Sequence, residues 1–234
     1  MMQKSWFTAM SDLSGLEKFS DWVIVFDLDD TLYQENEYNR SGVIAVANEV
    51  EILYGKNITE KLLEVRERKG DIWRHACELL DLPLSVKESF LWMYRLHEPV
   101  IELDPKVATI VKEVSIAAHK VAILTNGRSI TQRMKLNALG LLEYPLYISE
   151  EYSSNKPEKK CFQQIMYDFV VPNYAYVADN PSKDFIAPNS LGWRSIGIRG
   201  SDKNIHDQNV SELKDVCLPD LWVGHFEDVI GSLC

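Results

Sequence analysis

The sequence has few cysteines, no excess of basic residues and no long apolar run. Its cysteines form no CxxC pair and have no histidine close by, so we expect reduced thiols and neither a disulfide framework nor a zinc site. They are Cys77, Cys161, Cys217 and Cys234. The N-terminus lacks the apolar core of a signal peptide, and no stretch approaches the roughly 18 apolar residues of a membrane span. These absences predict a cytoplasmic protein.

Basic residues are outnumbered along the chain. The 234 residues include 25 Lys and Arg against 35 Asp and Glu, which gives a net charge of −10. Nucleic-acid binders usually carry a clustered basic face, and anionic membrane surfaces attract basic segments. We therefore expect neither a nucleic-acid partner nor a membrane partner. A small anionic ligand is compatible with this charge, because a bound metal ion can reverse the field of an acidic pocket.

Short apolar runs alternate with helical patterns along much of the chain. Continuous apolar character over a few residues is typical of strands buried on both faces of a parallel sheet. Such runs cover residues 22–26, 121–124, 146–148, 174–178 and 195–198, with a further edge strand at 221–223. Apolar residues at helical spacing lie between these runs, and again at residues 226–233. Strands that alternate with helices predict an α/β fold with a parallel sheet.

Residues 33–101 break this alternation. They contain helical patterns only, and Ser85 followed three residues later by Glu88 predicts a capping box at the start of the last helix. We therefore predict a core domain of residues 1–32 and 102–234, interrupted after its first strand by a small all-helical domain of residues 33–101.

The densest group of carboxylates follows the first predicted strand, in the sequence FDLDDTLY. Asp27 and Asp29 would share one side of an extended chain. Ligands of open α/β sheets bind beyond the carboxyl ends of the strands. Acidic side chains crowded there repel one another, so a site of this kind needs protons or a cation. The alternative is an Asp-rich turn with a helix cap.

Three further segments would lie at the same edge of the sheet. Thr125, Asn126 and Gly127 follow the second strand, where a hydroxyl and backbone N–H groups can hold phosphate oxygens. Lys156 precedes a proline at a predicted helix start and could supply a positive charge to a phosphate. Asp179 and Asp184 flank a turn after another strand and could hold a hard cation. Alone, each segment is weak evidence: residues 125–127 also form an ordinary turn sequence, most lysines are solvated surface charges, and the segment that begins at Asp179 would more often be a turn.

Together and in this order, the four segments resemble the haloacid dehalogenase-like hydrolase superfamily, in its phosphatase-type members. The resemblance extends from about residue 23 to residue 199. It implies a Rossmann-like core with helices on both faces of the sheet and a helical cap inserted after the first strand. It also implies that Asp27 is a nucleophile that forms an aspartyl-phosphate, and that Asp29 is the general acid–base.

The same resemblance implies the remaining site residues. Phosphate would be bound by Thr125, Asn126, Gly127 and Lys156. Mg²⁺ would be held by the carboxylates of Asp27 and Asp179 and the backbone carbonyl of Asp29. Asp184 would be a further metal ligand, through water, or a support for the others.

The expected substrate is a small phosphomonoester such as a sugar phosphate or a nucleotide. Asp29 favours phosphate chemistry, because dehalogenases of the superfamily do not need this second carboxylate. Segment 33–101 is mildly acidic, which disfavours a highly anionic substrate. A sugar phosphomutase and a catalytically weak scaffold remain alternatives. The scaffold is suggested by Ala178 before Asp179 and by the absence of glycine just before Lys156, where relatives often have glycine. The expected oligomeric state is a monomer or a homodimer.

Overall fold

The computed structural model of the protein describes residues 19–200, 204–206 and 208–233. The N-terminal segment considered for a signal peptide, and Cys234, lie outside these residues. Cys77, Cys161 and Cys217 are free thiols. None of the described helices is long and apolar enough to cross a membrane. The chain divides into two compact units, which are described separately.

The first unit contains a parallel sheet that has six strands within the described residues. They are β1 (Trp22–Phe26), β2 (Lys120–Thr125), β3 (Leu146–Ile148), β4 (Asn173–Ala178), β5 (Arg194–Ile198) and β6 (Leu221–Val223). The strand order is β3-β2-β1-β4-β5-β6, and every neighbouring pair is parallel. All six predicted strands are present, which confirms the predicted α/β class with a Rossmann-like sheet.

Helices lie between most pairs of successive strands, and a last helix follows β6. Their bounds are α1 (Glu35–Tyr54), α2 (Thr59–Glu67), α3 (Ile72–Leu80), α4 (Lys87–Arg95), α5 (Pro105–Ala117), α6 (Ser129–Ala138), α7 (Lys160–Asp168), α8 (Ile186–Ser190) and α9 (Val229–Leu233). The predicted closing helix at 226–233 is a single 3₁₀ turn, Phe226–Asp228, that continues into α9. Asp104 caps α5 as an acceptor from the N–H of Lys106, with Pro105 in the first turn.

Successive residues of the central strand face opposite sides of the sheet. Val23 and Val25 pack in one apolar cluster with Phe162 and Ile165 of α7. Phe26 faces the other side, where its ring lies 5.6 Å from that of Phe226, just before α9. The sheet is thus covered on both faces, and its carboxyl edge carries the polar residues.

The second unit is helical in its described elements and comprises Gln34–Glu102 together with Ile130–Leu141. The sequence analysis placed the latter segment in the core domain. Apolar residues of α1 to α4 form its interior, including Val46, Leu62 and Phe90. The division into a catalytic core and a cap remains a prediction.

The predicted capping box at Ser85 and Glu88 is wrong. Helix α4 begins at Lys87, its N-cap residue is Val86, and no side chain caps it. A 3₁₀ turn, Leu84–Val86, precedes the helix, and in it the N–H of Val86 donates to the carbonyl of Pro83 at 3.0 Å. The local turn after the proline therefore takes the place of a side-chain cap.

Replacement of Phe162 by alanine should destabilise the first unit strongly. The Phe162 ring is fully buried and meets the rings of Tyr176 at 5.0 Å and Trp193 at 5.3 Å, both edge-on. Phe162→Ala should lower the free energy of unfolding in urea by about 3–5 kcal/mol. Tyr167→Ala on the same helix is the control, because that side chain is 81% exposed. Equal losses in the two variants would contradict this account of the core.

Candidate active site

Two buried carboxylates meet where the central strands of the sheet end. Asp27 directly follows β1, and its backbone N–H donates to the carbonyl of Val177 at 2.9 Å, which continues the ladder to β4. Asp179 directly follows β4. Because β1 and β4 are neighbours and parallel, both carboxylates emerge at the same edge. Asp27 is 3% exposed and Asp179 is 2% exposed, so both are withdrawn from water.

Lys156 brings a buried positive charge to this edge. Its Nζ lies 2.8 Å from Oδ1 of Asp27 and 2.7 Å from Oδ1 of Asp184. The same ammonium donates a hydrogen bond to the hydroxyl of Tyr176, on β4, at 2.9 Å. The lysine side chain is 1% exposed. Lys156 is therefore a buried cation between two carboxylates, and not the surface lysine that its sequence context alone allowed.

The backbone of Lys156 is fixed by Asn126, which follows β2. The N–H of Lys156 donates to Oδ1 of Asn126 at 2.9 Å, and Nδ2 of Asn126 lies 3.5 Å from the carbonyl of Lys156. The Lys156–Pro157 peptide bond is cis. The amide side chain of Asn126 thus ties the end of β2 to the segment that carries the cation, a function that the sequence did not indicate.

For both Lys156 and Asp27, burial and the charge of the ion-pair partner shift the pKa in opposite directions. Burial by itself would lower the pKa of Lys156, but the carboxylates of Asp184 and Asp27 raise that pKa well above its usual value. Burial raises the pKa of Asp27 to about 6, against the attraction of Lys156. The lysine thus keeps its charge, and Asp27 is ionised when the solution is neutral or alkaline.

Asp27, Asp179 and Asp184 form a group that could hold a metal ion. Each offers one carboxylate oxygen, and these oxygens lie within 4.8 Å of one another. Burial and the charges of Asp27, Asp184 and Asp30 raise the pKa of Asp179 to about 8. One ammonium does not balance three carboxylates. A set of oxygen donors with excess negative charge fits a hard divalent cation such as Mg²⁺.

Asp184 is fixed on both of its oxygens. Oδ2 accepts the backbone N–H of Asn180 at 2.9 Å, and Oδ1 faces Lys156. The side chain of Asp184 is fully buried. This arrangement joins the segment after β4 to the lysine, so Asp184 orients the cation whether or not it also binds a metal ion.

Asp29 is not a member of this group of three carboxylates. It is half-buried, and its Oδ1 accepts a hydrogen bond of 2.5 Å from the hydroxyl of Tyr33. The next residue, Asp30, accepts the backbone N–H of Ile205 at 2.8 Å. The extended geometry that would align Asp27 with Asp29 does not persist, because the chain turns after Leu28: the N–H of Leu32 donates to the carbonyl of Leu28.

The predicted phosphate-binding segment follows β2. Thr125 is buried at the strand end, and its hydroxyl lies 3.4 Å from the carbonyl of Asn126. The N–H of Gly127, which was expected to contact phosphate, donates to Oγ of Ser149 at 3.0 Å. Ser149, just after β3, was missed by the sequence analysis because nothing local distinguishes it from any buried serine.

Two amide side chains reach Asp179 from the segment after β5. Nδ2 of Asn204 donates to Oδ2 of Asp179 at 3.3 Å, and Nε2 of Gln208 donates to the Asp179 carbonyl at 2.7 Å. Nothing in the sequence indicated this contribution from the segment after β5. Its contacts orient Asp179 within the carboxylate group.

The metal-free protein should lose stability as the pH rises from about 4 to about 8. The pKa of Asp179 is about 8 in the folded protein against 3.8 for an unperturbed carboxyl. Between these two pKa values the folded protein holds a proton on Asp179 that the unfolded chain does not hold. The stability that this proton contributes is therefore complete below a pH of 3.8 and is lost as the pH rises through about 8. In EDTA, the free energy of unfolding of the wild type, measured in urea, should decrease by up to about 1.4 kcal/mol per pH unit.

Asp179→Asn is the matched variant, since its side chain does not titrate. Its free energy of unfolding should fall less steeply over the same pH range in EDTA. An equally steep decline in wild type and variant would show that Asp179 does not carry a proton in the folded protein near neutral pH.

Comparison with known proteins supports the family resemblance and the fold. The family model for haloacid dehalogenase-like hydrolases matches residues 24–198. A glyceraldehyde 3-phosphate phosphatase of Methanocaldococcus jannaschii is 23% identical over 207 residues, which are 81% of this chain and 90% of that protein. A phosphoserine phosphatase of Thermus thermophilus is 32% identical over 125 residues, half of each chain.

A solved structure shows the same fold. The 2-haloacid dehalogenase of Pseudomonas syringae pv. Tomato DC3000 superposes with a TM-score of 0.60 at 18% identity, covering 92% of this chain and 98% of that one. Because the family model spans most of the chain, this protein belongs to the haloacid dehalogenase-like hydrolases.

Proposed function

We propose that the protein is a Mg²⁺-dependent phosphatase that hydrolyses a small phosphomonoester through an aspartyl-phosphate on Asp27. The observation that carries this proposal is the buried contact of 2.8 Å between Lys156 and Asp27, inside a group of three carboxylates. A carboxylate that is desolvated and held by an adjacent cation is a suitable nucleophile for phosphoryl transfer. The relatives named as phosphatases of glyceraldehyde 3-phosphate and phosphoserine support a small phosphorylated metabolite as substrate.

The residues that would hold Mg²⁺ are Asp27, Asp179 and the backbone carbonyl of Asp29, with Asp184 as a further ligand or a support. All of these groups supply oxygen, and the buried carboxylates carry more negative charge than Lys156 balances. When bound, the ion would neutralise charge on the phosphoryl oxygens and keep them close to the nucleophile.

In the first half of the proposed reaction, a carboxylate oxygen of Asp27 attacks phosphorus and the bond from phosphorus to the leaving oxygen breaks. Asp29 donates a proton to that oxygen. In the second half, a water molecule attacks the phosphorus of the aspartyl-phosphate while Asp29 takes its proton, and inorganic phosphate leaves as Asp27 is regenerated. Lys156 keeps Asp27 ionised and oriented, and it is proposed to contact the phosphoryl oxygens together with Thr125, Asn126 and Gly127. For Gly127 this contact requires its N–H to exchange Ser149 for a phosphoryl oxygen.

The mutase alternative differs from hydrolysis only in the acceptor of the phosphoryl group, a sugar hydroxyl in place of water. The scaffold alternative rests on the small-residue changes beside Lys156 and Asp179. The structure weakens the reason for that alternative, because the side chains of both residues lie at the carboxyl edge and make close polar contacts there.

Asp27→Asn should abolish phosphate release, because an amide does not form the phosphoenzyme. The measurement is phosphate release from sugar phosphates, nucleoside monophosphates and 4-nitrophenyl phosphate, with Mg²⁺ and with EDTA. Asp168→Asn is the control, since that exposed carboxylate contacts Tyr147 and Gln164 and is not among the proposed site residues. Full activity in Asp27→Asn would exclude the mechanism, and release that persists in EDTA would exclude the metal.

Asp29→Asn and Asp179→Asn should fail in different ways. If the carboxylate of Asp29 transfers protons, its loss should slow turnover by about 10²- to 10⁴-fold with little change in the Mg²⁺ concentration needed for half-maximal activity. Asp179→Asn should instead raise that concentration, because a metal carboxylate is lost. Equal rises in the two variants would contradict this division of functions.

A further inference from the structure

The hydroxyl of Tyr33 is in direct contact with the proposed general acid–base. It donates to Oδ1 of Asp29 at 2.5 Å, and the Tyr33 side chain is only 6% exposed. A short hydrogen bond from a buried phenol to a carboxyl group fixes the rotation of that group, because turning it would leave the phenol without this acceptor.

The local fold brings these two side chains together. The chain turns after β1, with the N–H of Leu32 bonded to the carbonyl of Leu28 at 3.0 Å, and the backbones of Asp29 and Tyr33 form an isolated bridge. Tyr33 groups with the α/β unit, as Asp29 does, although the sequence analysis began the helical domain at residue 33. The contact is therefore internal to the unit that carries the carboxylates.

We propose that Tyr33 is a positioning residue that selects the oxygen of Asp29 used for proton transfer. The phenol proton is donated to Oδ1, so Oδ1 is an acceptor and the transferable proton of a protonated Asp29 resides on Oδ2. That proton passes to the leaving oxygen as the bond to phosphorus breaks. Oδ2 then takes the proton of the attacking water, and Tyr33 keeps its own proton throughout.

This inference rests on the proposed phosphatase function and makes a distinct prediction about leaving groups. A leaving group that is stable as an anion needs little protonation, whereas a basic leaving group depends on the general acid. Loss of the Tyr33 hydroxyl should therefore affect a basic leaving group selectively. A purely structural loss of order in the site would affect all leaving groups alike.

The test compares 4-nitrophenyl phosphate, which has a stable leaving anion, with phenyl phosphate, which has nearly the same shape and a more basic one. For Tyr33→Phe, kcat/KM with phenyl phosphate should fall by about 10- to 100-fold, the range expected for loss of a hydrogen bond to a charged group. With 4-nitrophenyl phosphate it should change by less than about threefold.

Two further variants serve as controls for this test. Asp29→Asn should show the same bias between leaving groups, and a larger one. Tyr147→Phe removes another phenol that donates to a carboxylate, the 2.8 Å contact with Asp168, and should leave the activity with both substrates unchanged. Circular dichroism and thermal unfolding of each variant show whether it is folded.

The outcomes separate the two claims. Equal losses with both substrates in Tyr33→Phe, or no loss with either, would overturn the function proposed for Tyr33 while the phosphatase stands. No phosphate release by the wild type with Mg²⁺ from any substrate tested would overturn the phosphatase itself, and the inference with it.

Discussion

The ammonium of Lys156, enclosed between the carboxylates of Asp27 and Asp184, is the contact on which the rest of the site depends. A buried carboxylate without a partner is costly, and removal of one member of a buried ion pair typically destabilises a protein by several kcal/mol. Three neighbouring hydrogen bonds hold the lysine and its partner in position. Asn126 accepts the backbone N–H of Lys156, the Tyr176 hydroxyl accepts a hydrogen bond from the ammonium, and the N–H of Asn180 donates to Asp184.

The sheet explains why these groups meet at all. Because β1 and β4 are parallel neighbours, the residues that follow them reach the same edge, and Asp179 therefore adds a carboxylate beside the ion pair. The resulting excess of negative charge has two remedies, protonation or a cation. The raised pKa of Asp179 reflects the first, and the three carboxylates could hold a divalent cation as the second. Strand order thus brings a set of separate motifs together into one group of buried carboxylates around a lysine.

Much of this was predictable from sequence, for physical reasons. The strands are buried on both faces and therefore read as continuous apolar runs, and Asp27, Thr125 and Asp179 could be placed at their ends. What escaped prediction are contacts between segments remote in sequence. The hydrogen bond from Gly127 to Ser149 and that from Lys156 to Tyr176 leave no local pattern. The pairing of Tyr33 with Asp29 depends on a turn that breaks the expected strand periodicity, and a 3₁₀ turn displaced the predicted cap at Ser85.

The central claim is that Asp27 is the group that accepts the phosphoryl group. It is tested most directly by rapid acid quench during turnover of the Mg²⁺-loaded enzyme, followed by mass spectrometry of the peptide that contains residue 27. The account predicts that this peptide carries one phosphoryl group during turnover, located on Asp27, and loses it when the substrate is exhausted. Steady phosphate release with no phosphorylated peptide, or a phosphoryl group on any other residue, would contradict it.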